Sequence, residues 1–221
     1  MLLVLIIIIA ILLGGAYFLV KSPQNIDVAW TENDYKSYQQ KVSAGNEQPG
    51  NFDLASIAEG KFTSSGKKTL DVAYTSEEIS SVLSKENDIK GPIRDIKVKF
   101  LSDNEGEATF ILTKDIDQYI TRTSETLLRY PFIKNSLEGT PVYLKTKIDK
   151  ASDNSITADI QTLSLGKISL PENVISKVES SAIPAINRML QNYNGLSIQE
   201  LKIVDGKMHF KGTIPSEITA K

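Results

Sequence analysis

The chain has 221 residues, 41% of them hydrophobic and 24% charged, with a formal net charge of −2 and no cysteine. These figures exclude a disulfide scaffold, a thiol enzyme and a cysteine-ligated metal site. A nucleic-acid binder needs a basic face, and so balanced a charge argues against one.

The average hides two materials. Eighteen of the first 20 residues are apolar, and all 52 charged residues follow them. Leu2 to Val20 is a 19-residue run broken only by Gly14 and Gly15. As a helix it would span about 28 Å, close to the hydrocarbon thickness of a bilayer. It is longer than the core of a secretory signal and has no basic leader. Residues 1–21 therefore read as a transmembrane anchor, with membrane contact through residues 2–20. Gly14-Gly15-Ala16 leaves a cleaved signal as the alternative. Flanking charges barely specify orientation. The expectation is a single-pass N-terminal anchor with the rest of the chain extracytoplasmic, as is common for such anchors in bacteria.

Residues 22–68 read as a stalk or linker. Thr31 to Val42 suggests a short helix with Tyr35, Tyr38 and Val42 on one face. Ser43 to Asn51 is polar and turn-rich.

Residues 69–221 read as an α+β domain. Thr69 to Tyr74 suggests a strand. Thr75-Ser76-Glu77-Glu78 is a capping box, and the helix it opens carries Ile79, Val82 and Leu83. Three hairpins follow from alternation. The first pairs Phe100 with Ala108, Val98 with Phe110 and Ile96 with Leu112. The second pairs Leu144 with Ile160 and Ile148 with Ile156, around Asp153-Asn154. The third turns at Asp205-Gly206, setting Ile203 opposite Met208 and Leu201 opposite Phe210. A helix is expected from Asp115 to Pro131. The longest helix should start at Ser169-Leu170-Pro171-Glu172, end near Gly195 and kink at Pro184. Its stripe is Val174, Ile175, Val178, Ala182, Ile186, Met189, Leu190 and Tyr193. A helix followed by a hairpin occurs before Phe100 and again before Ile203, which an internal duplication or the general likeness of alternating strands would produce.

Catalytic material is thin. The single histidine, His209, falls on the polar face opposite Lys202, so a Ser-His-Asp triad has little to rest on. Ser64/Lys67, Ser65/Lys68 and Ser164/Lys167 have S-x-x-K spacing at about the frequency chance gives. Phosphate-loop and dinucleotide fingerprints are absent. Asp115 and Asp117 read as helix caps, and Asp103-Asn104-Glu105 as a turn. No catalytic residue, metal ligand or cofactor is expected. Lys97, Lys99, Lys145 and Lys147 alternate on the wet faces of their strands. They suit a solvated face that discourages edge pairing, or a contact for anionic lipid or cell-wall polymer.

Leu163 to Pro171, the long helix after it, Leu196-Ser197-Ile198 and Val204 to Gly212 form a pattern. With the helix and strand from Thr75 to Phe100, it resembles the bacterial LmeA-like and YpmS-like membrane-anchored domains. Those families are similar to tubular lipid-binding (TULIP-like) proteins, in which a long helix lies inside a curved antiparallel sheet. The resemblance implies a non-enzymatic domain that binds lipid or another apolar ligand between helix and sheet. The lining would be Val174, Ile175, Val178, Ile186, Met189, Leu190 and Tyr193 facing Ile96, Val98, Phe100, Phe110, Leu201, Ile203 and Phe210. The alternative is an envelope structural or interaction protein in which the same residues fill a core. A carboxylate hydrolase is a third reading, with no residue pair to single it out.

Overall fold

A computed structural model describes residues 21–43, 62–87, 93–113 and 138–220. The described residues hold three helices, α1 (Glu32–Ser43), α2 (Ser76–Asn87) and α3 (Glu172–Gln191). They also hold ten strands: β1 (Phe62–Ser65), β2 (Lys68–Thr75), β3 (Ile93–Phe100), β4 (Glu105–Leu112), β5 (Pro141–Ser152), β6 (Ser155–Leu165), β7 (Ile168–Ser169), β8 (Ser197–Val204), β9 (Lys207–Ile214) and β10 (Glu217–Ala220). The chain is α+β and every strand pairing is antiparallel. Where one curved sheet was expected, there are three, ordered β1-β10, β2-β9-β8 and β3-β4-β5-β6-β7. The expected anchor and the helix from Asp115 lie outside the described residues. Among the described residues no helix is long and apolar enough to cross a membrane.

Turn chemistry fixes the registers. Asp205 and Gly206 both take positive φ, 52° and 71°, and close a two-residue turn. The pairs Ile203–Met208 and Leu201–Phe210 form as expected. The first hairpin is displaced by two residues, with Phe100 opposite Gly106 and Val98 opposite Ala108. Asp103 and Asn104 also take positive φ (53° and 65°), so this turn is as tight as the other, whereas the sequence suggested a longer loop. A two-residue slide keeps each side chain on its face. A bulge between Arg94 and Lys97 then sets Ile93, not Ile96, opposite Leu112. In the second hairpin Leu144 faces Leu163 and Ile148 faces Ala158, again unlike the expected pairs. Two irregularities in β5–β6 add residues that counting by twos cannot detect.

Asn104 joins two of the sheets. Its backbone N–H donates to Ile203 O (3.0 Å) and its carbonyl accepts from Ile148 N–H (2.9 Å). Its side-chain Oδ1 accepts from Ile203 N–H (2.8 Å), and its Nδ2 donates to Asp149. The tip of one hairpin thereby behaves as a short strand wedged between β8 and β5.

The core of the five-stranded sheet is Leu112, Val142 and Leu163, covered by Ile93, Phe110, Leu144, Ile160, Leu165, Leu170, Ile175 and Val178. Helix α2 closes one edge of that sheet with serines at i, i+4 and i+8. Ser80 Oγ accepts from Val98 N–H (2.8 Å) and lies 3.2 Å from Val98 O as a donor. Ser76 Oγ accepts from Phe100 N–H, and Ser84 Oγ donates to Ile96 O. All three hydroxyls are buried, so each would be costly if unpaired.

The segment next to the apolar run is folded onto this domain. Ile26 and Val28 are each 4% exposed. Helix α1 begins after Thr31, whose N–H and Oγ1 both donate to Asp34 Oδ2 (2.7 Å each). Tyr38 packs on Tyr74 at 5.4 Å between ring centroids. Lys41 pairs with Glu78 at 2.6 Å and also donates to Ala73 O. Glu78 closes the expected capping box with Thr75 as well. Burial would raise the Glu78 carboxyl. Hydrogen bonds from Lys41, Ser37 and Thr75 N–H, with the Lys41 charge, outweigh it and hold the group below its ordinary value of 4.5. A carboxyl with a depressed folded-state value stabilises the fold above the unfolded value and loses that contribution as pH falls through the folded one. Glu78→Gln is thus expected to cost about 1–2 kcal/mol at neutral pH and to flatten the acid limb of the stability profile below pH 4.5. Urea titrations followed through Trp30, the single tryptophan, measure both effects.

Candidate functional groove

Strand β6 pairs with β5 along its length, but with β7 only at Ser164 and Leu165. From Ile156 to Ile160 its outer edge faces helix α3, and Leu163 O accepts from Leu170 N–H at 2.8 Å. Pro171 supplies the N-cap position with φ −70°, and Glu172 lies in the first turn, where a carboxylate suits the helix dipole. The helix ends at Gln191, capped by Asn192 backbone bonds, rather than at Gly195. Its stripe is amphipathic as expected, yet no residue of α3 is fully buried.

Two side chains tie the helix to the strand edge. Asn187 accepts from Ile156 N–H and donates to Ile156 O, both at 2.9 Å, so its amide takes the place of a neighbouring strand. Glu179 Oε2 lies 3.4 Å from Ile160 N–H. Ala158 lies between these ties. Its partner Ile148 sends its N–H the other way, to Asn104 O. By the two-residue alternation of an antiparallel ladder, Ala158 turns its N–H and C=O outward, like Ile156.

An open groove of about 370 Å³ lies here, lined by Thr157, Ala158, Ser176, Glu179, Ser180, Ile183 and Pro184. Pro184 has no N–H, which leaves the Ser180 carbonyl without its helical donor on the groove wall. The groove thus combines apolar surface from Ile183, Pro184 and Ala158 with a carboxylate and outward backbone groups. Its volume is at the small end of the range for ligand pockets, about 300–1,000 Å³.

Compared with protein-family models, curated proteins and solved structures, the chain matches none.

The lining residues expected from sequence divide among several places. Ile175, Val178 and Phe110 meet around Leu112, Val142 and Leu163. Ile96, Val98 and Phe100 lie on β3, along the edge that α2 covers. Leu201, Ile203 and Phe210 belong to the β2-β9-β8 sheet. Tyr193 lies past the end of α3 and stacks on Phe62 at 4.5 Å, and burial pushes its hydroxyl up to about 12. Val174, Ile186, Met189 and Leu190 stay half-buried along α3. The groove itself is lined by the neighbouring face of the helix. That face, with Ser176, Glu179 and Ser180, was not part of the expected lining, which followed the apolar stripe alone. Pro184 within a helical pattern was the available signal.

The lysine-bearing face of the five-stranded sheet is charge-balanced. Lys145 pairs with Glu105 at 2.8 Å, and Gln161 donates to the same carboxylate. These bonds hold Glu105 below the usual carboxylate range. Tyr143 is pushed up to about 12, first by burial and then by its bond to Glu107. Lys97 and Lys99 stand opposite Thr109 and Glu107. His209 stands opposite Lys202, as expected. Among the described residues no group of acidic or histidine side chains is arranged to hold a metal.

Proposed function

We propose that this chain is a membrane-anchored, extracytoplasmic, non-enzymatic domain that binds a lipid or similar amphiphile in the seam between α3 and the β6 edge. One observation carries the reading: a 20-residue amphipathic helix lies along a strand edge without fully burying any of its residues, and a groove opens between them. The apolar wall suits an acyl segment. Glu179 and the Ala158 backbone suit hydrogen-bond donors and acceptors near a polar head. The resemblance to LmeA-like, YpmS-like and TULIP-like domains points the same way, as does the apolar run over residues 2–20. The second reading is an envelope structural or interaction protein without a small ligand. It draws on the packed cluster at Leu112, Val142 and Leu163, which Ile175 and Val178 already cover.

Photo-crosslinking distinguishes the two. The full chain in bacterial membranes is irradiated with a phospholipid carrying a diazirine in its acyl chain, and adducts are mapped by mass spectrometry. Adducts at Thr157–Ala158 and Ser176–Pro184 are expected. Ser180→Trp, which fills the groove from an exposed position, should reduce them about tenfold while changing stability by no more than about 0.5 kcal/mol. Adducts confined to residues 1–20, unchanged by Ser180→Trp, would leave only the second reading.

A further inference from the structure

Lys21, the residue that follows the apolar run, is fastened to one end of the five-stranded sheet. Lys21 Nζ donates to Glu138 O and to Thr140 Oγ1 (3.2 Å). Thr140 is fully buried, and its carbonyl accepts from Leu112 N–H at 3.0 Å. Beyond Lys21 the chain is again held, by burial of Ile26 and Val28. The path from the run to the sheet therefore has no slack.

The same end of the sheet presents the β6–β7 turn. Gly166 N–H donates to Pro141 O at 2.7 Å, which places the turn beside the start of β5. Its next residues are Lys167, exposed, and Ile168, which at 37% is one of two exposed large hydrophobics among the described residues. The opposite end of β5–β6, at Asp153-Asn154, is roughly 35 Å away along the strands and carries polar residues.

We propose that the sheet end formed by Thr140, Pro141 and the β6–β7 turn rests on the bilayer, with Ile168 in the interface and Lys167 against lipid phosphates. The inference rests on residues 2–20 crossing that bilayer and does not require a ligand in the groove. A lysine beside an isoleucine at a turn tip fits such a surface: the apolar chain enters the headgroup boundary and the ammonium stays at its anionic edge.

The chain has no cysteine, so single probes can be placed in the full-length protein. Ile168→Cys, Lys167→Cys and Asp153→Cys are labelled with nitrobenzoxadiazole after reconstitution into phosphatidylglycerol–phosphatidylethanolamine vesicles. Flotation is measured first, then quenching by lipids brominated near the headgroup. Quenching at 167 and 168 about threefold or more above that at 153 is expected for an interfacial turn. Protein that floats with equal quenching at all three sites, or more at 153, overturns the orientation alone. Protein that fails to float overturns the anchor and the orientation together.

Discussion

Asn104→Ala is expected to destabilise the domain by about 3 kcal/mol, since it removes a buried hydrogen-bond partner and strains a turn. Ile203 is 5% exposed, and its N–H has Asn104 Oδ1 as acceptor. Alanine leaves that donor without a side-chain partner, and Asp149 loses the Nδ2 donor. Alanine must also hold φ near 65°, which costs a non-glycine residue about 1–2 kcal/mol. Asn104→Gly separates the two effects, because glycine takes that backbone freely. Its loss should be about 1 kcal/mol smaller than alanine's. Urea unfolding of both variants, followed by circular dichroism, measures the difference. Equal losses would mean that backbone strain contributes nothing at this turn.

Gly212→Ala should have the larger effect, a loss of more than about 3 kcal/mol, because the overlap is with backbone. A Cβ built there would stand 1.9 Å from Ser197 O and 3.2 Å from the Phe210 ring. Ser197 cannot retreat without disturbing the Ile198–Gly212 pair, and β8 is bulged at that point. Gly206→Ala is the control. It also sits at positive φ, 71°, but its nearest contact would be 3.8 Å away, so only the backbone cost of about 1 kcal/mol applies. For a domain of this size, about 1 kcal/mol shifts the melting temperature by 2–4 °C. Gly212→Ala should therefore melt several degrees below Gly206→Ala, if it accumulates folded at all. Equal melting temperatures would show that the β8–β9 pairing gives way easily at Ser197.

These positions also mark how far the sequence could be read. Asp205-Gly206 specified its hairpin because glycine advertises positive φ, and the pairs nearest the turn, Ile203–Met208 and Leu201–Phe210, were legible. Asp103-Asn104 makes a comparably tight turn, but without glycine it resembled a longer loop, and the register was misplaced by two. Bulges in β3 and β5 left no compositional mark. The capping box at Thr75–Glu78 was legible because both partners lie within one turn. The pairing of the same glutamate with Lys41 was not, since nothing local links residues 37 apart. Residues 22–43 looked like stalk because their apolar content is sparse, yet Ile26, Val28 and Tyr38 suffice to seat them. The serines at 76, 80 and 84 repeat every four residues, a signal passed over beside Ile79, Val82 and Leu83. The α3 stripe was read correctly as amphipathic. That the helix lies along a strand edge, and opens its groove on serines, depends on Asn187 and Glu179, whose partners are backbone atoms far away in sequence.

In the five-stranded sheet, the outer strand β3 and the part of β6 that the short β7 leaves uncovered each face a helix whose side chains stand in for a missing strand. Ser80 does this at Val98 and Asn187 at Ile156, each engaging both the N–H and the C=O of one residue. Open strand edges are templates on which copies of a chain stack into fibrils. At these two edges an incoming copy would have to displace a folded helix before it could pair. At high local concentration such covered edges work against the stacking of one copy on another.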